Sequence, residues 1–95
     1  MPSVKIQRVG ANTVKAIILL DDREWKMFST ICFKGGEMDV CTDSINGFIR
    51  ALVMKSCGKS ITDLVKEETG CTKLFSINRD AIKQDKKIIF TFKCG

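Results

Sequence analysis

The chain opens on alternation. Val4-Lys5-Ile6-Gln7 puts apolar and polar residues on opposite faces, the period of a half-covered strand, and Gly10-Ala11-Asn12 supplies turn residues after it. Thr13 to Leu20 is β-branched at first and then continuously apolar at Ala16-Ile17-Ile18-Leu19-Leu20, the pattern of a central strand. Asp21-Asp22-Arg23-Glu24 reads as a charged hairpin turn. Alternation then resumes, with Trp25, Met27, Ser29, Ile31 and Phe33 on one face and Lys26, Phe28, Thr30, Cys32 and Lys34 on the other, which predicts a third strand over 25–34. Gly35-Gly36 predicts a tight turn into a short fourth strand, Glu37 to Cys41.

The period changes at residue 42. Ile45, Phe48, Ile49, Leu52, Val53 and Cys57 fall on one stripe of an α-helix, with Asp43 or Ser44 to cap its start and Gly58 to end it. Ser60-Ile61-Thr62-Asp63 resembles a capping box and opens a second, shorter helix with Ile61, Leu64 and Val65 on its apolar side, before Gly70. Lys73 to Ile77 and Lys87 to Lys93 read as a further strand pair, the latter with Ile88, Phe90 and Phe92 on one face, joined by a polar loop over 78–86. The expected class is α+β: an antiparallel β-meander of about four strands packed by one amphipathic helix, plus a short second helix and a C-terminal strand pair. At 95 residues, one domain spanning the chain is expected.

Composition narrows the chemistry. The chain has no histidine, which removes the commonest general base and metal ligand, and none of its five cysteines is spaced as C-x-x-C. No metal site, cofactor or small-molecule substrate is inferred, and no catalytic residue is assigned. Asp21, Asp22 and Glu24 read as a solvated acidic turn, and Gly35-Gly36 lacks the following Lys-Ser or Lys-Thr and helix of a phosphate loop. Cys32, Cys41, Cys57, Cys71 and Cys94 are odd in number and irregularly placed, a poor disulfide framework. They are therefore expected to be reduced, mostly as small core hydrophobes, in an intracellular protein of the cytoplasm or nucleus. The longest apolar run, Ala16 to Leu20, is too short to span a membrane, so no membrane association is expected.

Charge changes the picture most. The net +5 is uneven: residues 1–50 carry seven basic and six acidic groups, whereas residues 51–95 carry nine and five. Lysines beside aromatics on an open sheet suit single-stranded nucleic acid, because bases stack on rings while cations follow the phosphates. The leading expectation is a non-catalytic nucleic-acid-binding or regulatory domain using Trp25, Lys26, Phe28, Lys34, Lys86, Lys87 and Lys93. If the sheet is covered on both faces, Phe28 and Cys32 are core instead. The other expectation is a protein-interaction module, an inhibitor, adaptor or assembly subunit acting through a sheet edge or helix face, with a protein partner or a homodimer. Four antiparallel strands followed by an amphipathic helix is similar to the order in small dimeric single-stranded nucleic-acid binders of the Pur-alpha and Whirly type. The likeness is architectural and carries no residue across.

Overall fold

The computed structural model describes residues 2–32, 42–78 and 86–95. Its elements run β1 (Ser3–Gly10), β2 (Thr13–Leu19), α1 (Asp22–Cys32), α2 (Thr42–Cys57), α3 (Ile61–Thr69), β3 (Lys73–Asn78) and β4 (Lys87–Lys93). The four strands form one antiparallel sheet in the order β1-β2-β4-β3. The class is α+β, as the sequence predicts, but the sheet is not a meander. An N-terminal pair and a C-terminal pair meet side by side, and the last strand lies between β2 and β3. Its composition explains the place. Ile88, Phe90 and Phe92 are buried and the alternate residues Lys87, Ile89, Thr91 and Lys93 are half-buried, because β4 has a neighbour on each side. β3, at an edge, exposes every residue but Ile77.

Cross-strand register sorts the side chains onto two faces. Val4, Ile18 and Ile88 form one row, Ile6, Ala16, Phe90 and Ile77 the next, and Val14, Phe92 and Leu74 a third. This face meets Phe28 of α1, Ile49 and Val53 of α2, and Ile61 and Val65 of α3 in one buried cluster. The stripe expected on α2 is seen at Phe48, Ile49, Leu52 and Val53, but Cys57 at its end is exposed and carries a free thiol. The expected caps of α3 are present: Ser60 Oγ accepts from the Asp63 amide at 3.1 Å, and Gly70 takes φ 78° and donates to the Lys66 carbonyl.

Residues 25–32 belong to α1, not to a strand. Asp21 is not part of a hairpin turn: its Oδ1 accepts from the Glu24 amide at 2.7 Å while Glu24 Oε1 accepts from the Asp21 amide at 3.0 Å. That reciprocal pair is a capping box that satisfies amides of the first turn, with Glu24 itself buried. Trp25 and Phe28, three residues apart on the helix, then turn inward together with rings 5.8 Å apart and stacked. The predicted Gly35-Gly36 turn and the strand Glu37 to Cys41 lie outside the described residues, as does most of the 78–86 loop.

The expectation of reduced cysteines is overturned. Cys71 and Cys94 form a disulfide across 23 residues, with their Cα atoms 4.2 Å apart. Spacing along the chain could not show this. Lys73 pairs with Lys93, so the residues just before β3 and just after β4 come together at one corner of the sheet.

Candidate functional site

The second face of the sheet carries the chemistry. Its rows are Ser3, Leu19 and Lys87; Lys5, Ile17, Ile89 and Asn78; Gln7, Lys15, Thr91 and Ser76; and Thr13, Lys93 and Lys73. None of Ile17, Leu19 and Ile89 joins the core cluster, and Leu19 is 45% exposed. All three described helices contribute their buried residues to the other side. Five lysines, Lys5, Lys15, Lys73, Lys87 and Lys93, therefore share a face with three aliphatic side chains at its middle and one end.

No aspartate or glutamate occurs in any of the four strands. The acids of the described residues are confined to the helices and the residue before α1. The strands are thus the more positive layer, since the helices carry Arg23, Lys26, Arg50, Lys55 and Lys66 alongside their acids.

An aromatic ring stands at the corner of this face. Pairing between β3 and β4 shifts between Leu74 and Ser76, which leaves Phe75 as the extra residue of a bulge. It is 67% exposed, the highest value among the exposed large hydrophobic residues. Lys93 Nζ lies 4.9 Å from the centre of its ring, a cation–π contact, and also donates to Thr13 Oγ1 at 3.0 Å. Bulges re-aim side chains, and this one holds a ring in solvent beside an ammonium group.

The sequence-predicted residues divide. Lys87 and Lys93 lie on the open face. Lys86 lies just before it, in a left-handed conformation at φ 56°, and its ammonium is taken by Asp22 at the start of α1. Trp25, Lys26 and Phe28 are not on a sheet at all. Phe28 is fully buried, Trp25 is half-buried and packs against the core, and Lys26 points outward from α1. Lys34 lies outside the described residues. Lys5, Lys15, Lys73 and Phe75 were not singled out by sequence, though adding the charges of the alternate positions in the strands would have found the lysines.

Two depressions flank α1. One, of about 370 Å³, is lined by Arg23, Lys26, Met27 and Thr30; the other, of about 540 Å³, includes Asp21, Glu24, Leu52 and Lys55. The two carboxylates in the second serve as caps of α1. Among the described residues, no group of three or more His, Cys, Asp or Glu could hold a metal ion, and no helix is long and apolar enough to cross a membrane.

Fold and site together define a β-β-α-α-α-β-β module with a helix-backed antiparallel sheet and a cationic outer face. The chain matches no protein-family model, no curated protein and no solved structure.

Proposed function

We propose that the chain is a non-catalytic module that binds single-stranded nucleic acid across the outer face of its sheet. The observation that carries this reading is the set of five lysines that the strands bring to one face, with an exposed ring at its corner. Lys5, Lys15, Lys73, Lys87 and Lys93 neutralise phosphates, while Ile17, Leu19 and Ile89 give sugars and bases an apolar floor. Phe75 offers a stacking surface open to any base. A duplex keeps its bases paired and stacked on one another, so the ring and floor favour single strands.

Fluorescence anisotropy with a labelled oligothymidine tests the reading. Replacing Lys5 and Lys15 by Glu is expected to abolish binding without changing the fold, since both side chains lie outside the core. Phe75→Ala is expected to weaken it by about 1–3 kcal/mol, roughly 5- to 150-fold. Binding that survives the double charge reversal removes the reading. An oligonucleotide-blind protein that instead captures an extended peptide would favour a protein partner pairing with the open edge of β1.

A further inference from the structure

The disulfide occupies the same corner as Phe75 and Lys93, and the forces on the two strands that meet there are unequal. The end of β4 is held from its other side: Lys93 Nζ donates to Thr13 Oγ1, and the Cys94 amide donates to the Asn12 carbonyl, each at 3.0 Å. Among the described strands, β3 has β4 alone beside it. Lys73 stands directly opposite Lys93, a like-charge cross-strand pair that pushes the strands apart. The register shift at Phe75 interrupts the ladder, and Leu74 remains 39% exposed. Within β3 only Ile77, near the far end of the strand, packs against the core, and ahead of the strand the buried anchor is Cys71 itself. What ties the start of β3 covalently to the sheet is Cys71–Cys94.

Resting on the proposed nucleic-acid reading, we propose that the disulfide is a redox control on that site: a dithiol reductant cuts it, the start of β3 separates from β4, and Phe75 is carried away from Lys93. Cys94 is half-buried whereas Cys71 is fully buried, so Cys94 Sγ is the sulfur open to attack. A thiolate of the reductant bonds to Cys94 Sγ, the bond between the two cysteine sulfurs breaks, and Cys71 leaves as a thiolate that takes up a proton. The second thiol of the reductant, as its thiolate, attacks the reductant sulfur of the mixed disulfide and releases Cys94, whose thiolate also takes up a proton. The protein gains two electrons and two protons, and the dithiol becomes a disulfide. Disulfides exposed to reducing compartments act in this transient, sensing manner. The four strands need not come apart for the site to be lost, because the start of β3 adds only Leu74, 39% exposed, to the core-facing rows of β1, β2 and β4.

The experiment measures oligothymidine affinity of the oxidised protein and of the protein treated with dithiothreitol, for the native chain and for Phe75→Ala, with amide hydrogen exchange on both redox states. The reduced native chain is expected to bind at least about fivefold more weakly, to the level of oxidised F75A or below it, since Lys73 is displaced together with the stacking ring. F75A itself should lose less on reduction than the native chain, only what the displacement of Lys73 costs. Exchange should quicken at Thr72 to Ser76 while β1, β2 and β4 stay protected. Cys94→Ser should reproduce the reduced state without reductant. Equal affinity in the two redox states overturns the control and leaves the binding site standing. Absence of binding in both states overturns control and site together, and loss of protection across the whole sheet shows that reduction unfolds the protein and overturns local release.

Discussion

Salt gives the sharpest test of the outer face, because its effect can be worked from the number of cations there. Single-stranded nucleic acid releases counterions such that log affinity falls with log salt at a slope of about −0.7 per phosphate neutralised. Five lysines give a slope of about −3.5, so raising salt from 50 to 200 mM, a fourfold change, should weaken binding on the order of 100-fold. Replacing Lys5 and Lys15 by Gln keeps most of each aliphatic stem and removes two charges. Three lysines remain, the slope falls to about −2.1, and the same salt step should cost only about 20-fold. The assay is anisotropy titration of an oligothymidine of about 12 nucleotides, within the roughly 4–16 that single-strand binders of the OB-fold type cover. A native slope shallower than about −1, or a double variant whose slope equals the native one, would refute the assignment of these lysines to phosphates.

Phe28→Ala should destabilise the fold by about 3–5 kcal/mol in denaturant titration, because its fully buried ring joins α1 to the core; unchanged stability with lost binding would return Phe28 to a binding surface. Asp21→Ala removes the acceptor for the Glu24 amide and should cost about 0.5–2 kcal/mol by the same measurement, a smaller value showing that the cap is dispensable. Gly70→Ala meets nothing within 4 Å, so its penalty is the left-handed backbone alone, about 1–2 kcal/mol, and a neutral result would place Gly70 elsewhere than φ 78°. Glu67→Gln breaks the exposed pair with Lys59 and should change stability by less than about 1 kcal/mol, with calorimetry in low salt able to detect a larger effect.

Much of the fold was legible because the pattern of several segments admits one reading. Val14, Ala16 and Ile18 in β2, and Ile88, Phe90 and Phe92 in β4, alternate without ambiguity, and Phe48, Ile49, Leu52 and Val53 can share a side only on a helix. The segment over 25–32 was misread because its apolar residues satisfy two periods. Trp25, Met27, Ser29 and Ile31 alternate as in a strand, yet Trp25 and Phe28 also share one side of a helix. The deciding signal lay upstream: Asp21 and Glu24 are spaced as a capping box, and only the direct bonds between each carboxylate and the other's amide distinguish that from a charged turn. Strand order was not legible, since which pair of strands lies central depends on long-range packing. The disulfide was hidden for the same reason, as it follows from the β3–β4 register rather than from cysteine spacing. Lys87 and Lys93 were within reach of sequence because they sit in an evident strand. Phe75 was not, since its exposure depends on a single extra residue in one rung of the ladder.

The positive excess of the strands acts before any contact forms. The described strands carry six basic residues and no acid, whereas the acids of the helices are largely offset by basic residues in the same helices, so the sheet is the more positive layer. A field of that kind turns a diffusing protein while it is still about a Debye length, roughly 10 Å at 0.1 M salt, from a charged chain. Approach to any polyanion would then be sheet-first, so that orientation, which otherwise slows most encounters, is largely settled on arrival.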